Sequence, residues 1–294
     1  MNILLEGGTR LQRGPKRSEP GLPLISIVTV TFNAVELFPD TLKTIRAQDY
    51  PNVEWIVIDG GSTDGTIDIL RANQDVIDYW LSEPDRGMYD ALAKGFERAN
   101  GEILCWLNAG DMFLNGALSI VADVFQSHPE KNWITGMQFK HLPGCKIIGC
   151  YIPLGYCSDL IGCGAYGRPF CGRSLPFIEQ ESTFFRRSML DGVNMERFRE
   201  FKLAGDLYLW FCFAKHDKLT VVIAGLGSFC IHAGQLSEDI ESYWKEADTF
   251  LDRITFALRI KMLVRLLLGY APISYKIRMA GNAMLTWVKG KGWQ

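Results

Sequence analysis

Residues 24–33 read LISIVTVTFN, and residues 53–62 read VEWIVIDGGS. Both are short apolar runs rich in Val and Ile that end abruptly in polar or turn-forming residues. Runs of this kind fit strands covered on both faces, the usual state of a parallel strand. Between them, the stretch from about Val35 to Ala47 has helical character, and Asp49-Tyr50-Pro51-Asn52 breaks it. After the second run, Asp64 is placed to cap a helix reaching Ala72, because its carboxylate can accept from the free N–H groups of a first turn. A weaker strand near Ile77–Leu81, a helix over about Met88–Ala99 and a strand over Glu102–Leu107 repeat the cycle. This alternation predicts an α/β domain over residues 24–126, with a mostly parallel, Rossmann-like sheet and helices on both faces.

The pattern loosens on either side. Residues 1–23 are rich in Gly, Pro and charge and read as a flexible arm. Their apolar start is too short for a signal sequence and is interrupted by Glu6. Residues 141–177 suggest long loops, with helices expected near 181–190 and 203–215 and a strand at Leu219–Ile223. From Glu238 the pattern is helical, broken at Pro272.

Composition excludes several classes. With 294 residues, 48% hydrophobic and 22% charged, the chain can bury a large core. A formal net charge of −2 gives no reason to expect a nucleic-acid partner. The eight cysteines form no CxxC pair and read as free thiols, although the cluster from Cys145 to Cys171 leaves a zinc site open. No apolar run reaches the roughly eighteen residues of a membrane span.

The position of the polar residues points to a site. In open parallel sheets, ligands bind outside the carboxyl ends of the strands. Those ends carry Thr31-Phe32-Asn33, Asp59, Asp85 and Asn108-Ala109-Gly110-Asp111. Several carboxylates on one rim repel one another unless a cation lies among them, and Mg²⁺ commonly takes one or two carboxylates plus substrate phosphates. The sequence has neither a GxxxxGK[ST] loop nor a GxGxxG after a strand, so a nucleotide would be held some other way.

The segments ISIVTVTFN, WIVIDGGSTDGT, SEPDRGMYDALAKG and GEILCWLNAGD, followed by QESTFFRRS and LAGDLYLWFCFAK, resemble family 2 of the inverting glycosyltransferases. The later two are similar to the acceptor half of bacterial members that build exopolysaccharide or lipid-linked glycans. The resemblance covers about residues 24–235 and implies a GT-A fold, with a donor half at 24–126 and an acceptor half at 127–235. It implies a nucleotide-diphosphate sugar donor, Mg²⁺ or Mn²⁺, and a glycan or lipid-linked acceptor. Carried over to this chain, Thr31, Phe32 and Asp59 would meet the base and ribose, Asp85 and Asp90 would flank the ribose and sugar, Asp111 would hold the metal, and Asp206 would be the catalytic base. Two positions depart from the pattern, with Gly60 and Gly110 standing where many relatives have a second aspartate.

Alternatives stay open beside these roles. Glu181 is a rival base, His232 a possible metal or phosphate ligand, and Arg186 and Arg187 could touch the diphosphate or form ion pairs. A sugar nucleotidyltransferase, or an inactive glycosyltransferase-like binding protein, would use a similar sheet. Residues 236–294 read as a basic amphipathic tail, with eight Lys or Arg and no acid from Arg253 onward. Arg253, Lys261 and Arg265 fall on one side of a helical projection. The tail is either a helix lying on an anionic membrane, which would make the protein peripheral on the cytoplasmic face, or a core-packed helix with a basic outer face.

Overall fold

The computed structural model describes residues 5–269, 284–288 and 290–294. In chain order the first half comprises β1 Leu5–Gly7, α1 Arg10–Arg13, β2 Ile25–Thr31, α2 Phe38–Arg46, β3 Val53–Asp59, α3 Thr66–Ala72, β4 Tyr79–Ser82, α4 Met88–Arg98, β5 Ile103–Trp106, β6 Met112–Phe113 and α5 Ala117–Ser127. The second half comprises β7 Trp133–Leu142, β8 Lys146–Tyr151, α6 Ser158–Gly162, the hairpin β9 Pro169–Phe170 and β10 Arg173–Ser174, β11 Thr183–Arg186, α7 Met195–Glu200, α8 Gly205–Ala214, β12 Thr220–Gly225, β13 Gly227–Cys230, α9 Ile240–Ala247, α10 Phe256–Leu268 and β14 Met284–Leu285.

The main sheet runs β1-β4-β3-β2-β5-β11-β7-β12-β14. The centre, β4-β3-β2-β5, is parallel, as the alternating pattern predicts. Beyond it the sheet is mixed, because β11 lies antiparallel to both β5 and β7. The segment near 181–190, expected to be helical, forms this strand between two short 3₁₀ turns. Its side chains explain the outcome: Phe184 and Phe185 point to opposite faces and enter the two separate halves of the core.

Alternation along the central strands divides that core. Val28, Val30, Ile56 and Ile58 face α4 and α8, while Ile25, Ile27, Trp55 and Val57 face α2 and α5. Helix α8 is apolar nearly all round and buried, with Trp210 stacked on Trp106 and Trp133 at 5.3 and 5.8 Å.

The segment expected to be a loose arm is tied to the amino edge of the sheet. Strand β1 pairs antiparallel with β4, Lys16 bridges Asp78 at 2.8 Å, and Arg10 lies 3.6 Å from Glu54. The first four residues lie outside those described. Glu54 is fully buried and accepts from Ser26 Oγ at 2.6 Å and from both the backbone N–H and the side-chain amide of Asn100, at 2.7 and 2.6 Å. Glu54→Ala strands these donors in the core. It should cost about 2–4 kcal/mol, read as a lower urea midpoint at unchanged m-value.

Candidate active site

The register of the parallel strands assembles the rim. Thr31 stands level with Asp59, and Asp59 with Ser82. Asp59 is fully buried, and its Oδ2 accepts from the N–H groups of Gly61 and Ser62 at 3.0 and 2.9 Å and from Ser82 Oγ at 2.6 Å. Ser62 Oγ donates to its other oxygen and accepts from Asn33 N–H at 2.7 Å. Asp59 thereby ties the two rim loops together from beneath. Those loops present Thr31, whose buried Oγ1 has no partner, and Phe32, which is 64% exposed. Phe32 is an exposed ring on the carboxyl rim of the sheet, free to cover a planar ligand.

Gly60 and Asp85 are linked. A methyl group on Gly60 would stand 2.8 Å from Asp85 Oδ2 and 3.3 Å from Phe32 Cδ2. The Asp85 carboxylate thus fills the space that a side chain at position 60 would need. It is half-buried; burial raises its pKa, opposed by the Gly87 N–H at 2.8 Å and by the Lys94 charge.

Asp90 is placed differently from the expected ribose contact. It is 4% exposed and bonded to Arg86 N–H, Arg86 Nη2 and Arg199 Nη1 at 3.1, 3.2 and 3.0 Å, with Lys94 at 3.5 Å. Burial works against the charge, but these donors outweigh it and hold the carboxyl at about 2. Asp90 works as a buried ionic joint between α4 and α7.

Asp111 lies just beyond β5 in a loop that requires Gly110, whose φ of 103° is left-handed. An aspartate at 110 would be strained there. Thr41 Oγ1 accepts from Gly110 N–H at 2.9 Å and donates to the Asp111 carbonyl at 2.7 Å. Buried His141 contacts the Gly110 carbonyl through Nε2 at 3.1 Å and Ser228 Oγ through Nδ1 at 2.9 Å, and burial lowers its pKa. Cys230 N–H reaches Asp111 Oδ1 at 2.8 Å. Burial, with Glu179 nearby, pushes Asp111 up to about 7, and Glu179 is likewise raised to about 7 by burial and by Asp206. Glu179 is therefore near both aspartates, which come from opposite halves of the chain.

Glu181 is fully buried, and neither carboxylate oxygen has a partner. Burial and the charges of Glu179 and Asp111 keep it protonated well above the usual range, so it is poorly suited to accept a proton. Among the described residues, no three His, Cys, Asp or Glu converge on a metal position. This covers the cysteines from Cys145 to Cys171, and all eight are free thiols.

Asp206 is in the first turn of α8, not on a solvent-facing helix end. Burial raises it to about 6, against donation from Leu207 N–H and from two tyrosines, Tyr243 and Tyr89, whose hydroxyls reach Oδ1 at 3.1 and 3.4 Å. A carboxylate poised there suits general-base work near neutral pH. The tyrosines come from α9 and α4, distant in sequence.

Other candidates fall elsewhere. Arg186 sits opposite Ile103 at the amino end of β5, bonding Glu102 and the carbonyls of Lys131 and Phe125. Arg187 bonds the Gly101 and Ala99 carbonyls on that same edge, away from the rim. His232 is half-buried two residues after Cys230, with Nδ1 3.0 Å from the Ala233 carbonyl. Asp64 is not the expected cap of α3, whose cap position is Gly65 with no side-chain bond; one residue earlier it accepts from Thr66 N–H at 3.0 Å and from Val35 N–H at 2.9 Å, joining two loops.

Residues 26–140 match the family model for glycosyl transferase family 2. A putative teichuronic acid biosynthesis glycosyltransferase of Bacillus subtilis, TuaG, is 35% identical over 92 residues, 30% of this chain and 36% of that protein. The chain thus spans about a third of the length of this curated relative. Among solved structures, residues 1–349 of S. aureus TarS with UDP-GlcNAc superpose at a TM-score of 0.59 and 14% identity, over 84% of this chain and 72% of that one. The mannosyltransferase PcManGT of Pyrobaculum calidifontis with GDP-Man and Mn²⁺ gives 0.55 and 17% identity, over 93% and 78%. The matched segment carries Asp59, Asp85 and Asp111, on a sheet of the GT-A type. Over residues 26–140, then, this chain is similar to the family 2 glycosyl transferases, on a fold shared with solved glycosyltransferase structures.

Proposed function

We propose that the chain transfers a sugar from a nucleoside diphosphate sugar to a glycan acceptor, with inversion, and that Asp206 is the base. The observation that carries this reading is the placement of Asp206 and Asp111 around Glu179: one carboxyl is poised at about 6 on the acceptor side, the other buried beyond β5 on the donor side. Residues 24–126 then serve as the donor half and 127–235 as the acceptor half. In one step the acceptor oxygen bonds to the anomeric carbon, the carbon–phosphate oxygen bond breaks with its electrons on the diphosphate, and the acceptor proton passes to Asp206 Oδ2. Attack opposite the leaving group inverts the carbon. Thr31, Phe32 and Asp85 line the place for the nucleoside.

The donor set fits Mg²⁺ or Mn²⁺ only in a sparse site. Asp111 accepts from Cys230 N–H at Oδ1 and from the Gln180 side chain, so a cation would share its carboxylate with these donors, and diphosphate oxygens would fill its shell. When bound, it would neutralise charge on the diphosphate. A panel of nucleotide sugars offered with each metal, with release of free nucleotide as the readout, tests the reading: one donor should turn over, and turnover of none with any acceptor glycan would count against it. Because the base must be ionised, activity should fall as pH drops through about 6, read from the acidic limb of kcat/KM.

We also propose that a lipid-linked acceptor is met at an anionic membrane surface, as part of cell-surface polysaccharide synthesis. Among the described residues no helix is long and apolar enough to cross a membrane. The charges of α10 are not arranged as expected, since Lys261 pairs with Asp159 at 2.6 Å and Arg265 with the Gly155 carbonyl at 2.6 Å. The outer stripe is instead apolar, with Phe256, Ile260, Leu263, Val264 and Leu267 exposed. This supports insertion of the stripe among lipid headgroups. The break expected at Pro272 lies outside the described residues. Vesicle co-sedimentation should be lost in Phe256→Glu/Leu267→Glu if this holds.

A further inference from the structure

Helix α9 lies in the segment read from sequence as a tail, beyond the family-matched residues. Its inner face carries Tyr243 and Glu246, three positions apart and so on one side of the helix. Tyr243 donates to Asp206 Oδ1 at 3.1 Å. Its ring is held edge-on by Phe177 and Trp244, at centroid distances of 6.0 and 5.1 Å, so the hydroxyl has little room to swing away.

Glu246 addresses a different need. Helix α8 begins at Ala204-Gly205-Asp206, with no side-chain cap of its own. An uncapped helix start leaves several N–H groups without acceptors. The Glu246 carboxylate does not cap those groups but fixes the turn that leads into them, accepting from the consecutive N–H groups of Lys202, Leu203 and Ala204 at 2.7, 2.8 and 2.7 Å. A negative charge at that end also suits the helix dipole. Tyr89 completes the clamp from the other side, donating to the Leu203 carbonyl at 2.7 Å.

We infer that α9 is part of the active site, with Tyr243 and Glu246 acting as positioning residues that hold Asp206 and the start of α8 in place; this rests on Asp206 being the base proposed above. The groups facing Asp206 are Tyr89 from α4, Tyr243 and Glu246 from α9, and Glu179 from the segment before β11. The Tyr243 hydroxyl favours the ionised carboxylate, Tyr89 adds less because its one proton goes chiefly to the nearer Leu203 carbonyl, and Glu179 opposes ionisation. Removing the Tyr243 hydroxyl therefore moves Asp206 upward in pKa.

The test is the titration of Asp206 in the full chain labelled with ¹³C-carboxyl aspartate, its resonance identified by its absence from Asp206→Asn. Tyr243→Phe should raise the midpoint by about one pH unit and move the acidic limb of kcat/KM with it, while thermal stability changes little. Glu246→Gln should lower kcat about tenfold with donor KM unchanged, since each lost N–H acceptor loosens the base and not the donor pocket. An unmoved midpoint in Tyr243→Phe, or full kcat in Glu246→Gln, would overturn the inference. A moved midpoint in a protein that turns over no donor would uphold the placement of Asp206 and reject the transferase reading alone.

Discussion

Asp206→Asn is expected to lower kcat for sugar transfer by about two to four orders of magnitude, the usual contribution of a positioned general base, while leaving donor affinity unchanged. The amide has nearly the same shape and can still accept from Tyr243, while Tyr89 keeps its bond to the Leu203 carbonyl, so the start of α8 should keep its place. What it loses is the capacity to take a proton. A residue serving only as a helix-end charge would cost a fraction of a kcal/mol in stability and little activity. Steady-state kinetics with calorimetric donor binding separates the two.

If Asp111 serves the diphosphate as proposed, Asp111→Asn should reduce donor kcat/KM at least about a hundredfold, because a charge is lost from a buried position. The amide oxygen can still accept from Cys230 N–H, Thr41 and His141 bind the loop through backbone atoms that the change does not touch, and only the Gln180 side-chain bond is put at risk. Folding should not suffer. Burial raises this carboxyl to about 7, so ionised Asp111 opposes the folded state, and that cost grows as pH rises from about 4 toward 7. The neutral amide has no such cost, so the melting temperature at pH 7 should hold or rise as donor turnover collapses. A fall in both together would make Asp111 a folding residue.

The parallel centre of the sheet is legible in sequence because each strand is a self-contained apolar run with a helix of adequate length after it. Strand β11 is not: Thr-Phe-Phe-Arg becomes a strand only because β5 and β7 leave a slot whose two faces each need an aromatic ring. The same split applies to the site. Asp85, Asp111 and Asp206, on which the proposed function rests, are picked out in sequence only by their places at strand ends and a helix start. The partners of Asp59 and Asp90 could not be read from sequence, since Ser82 and Arg199 come from other elements. Glu179 carries no periodic signal. Tyr243 lies 37 residues beyond Asp206, on a helix whose polar pattern reads as a solvent face.

The central claim is that this sheet binds a nucleoside diphosphate sugar through Asp111 and presents it to Asp206. Calorimetry of a nucleotide-sugar panel with Mn²⁺, on the unmodified chain, Asp111→Asn and Asp206→Asn, tests it most directly. The account predicts that one donor binds the unmodified chain and Asp206→Asn alike and is lost with Asp111→Asn. Binding of no donor by any of the three, or undiminished binding by Asp111→Asn, would contradict it.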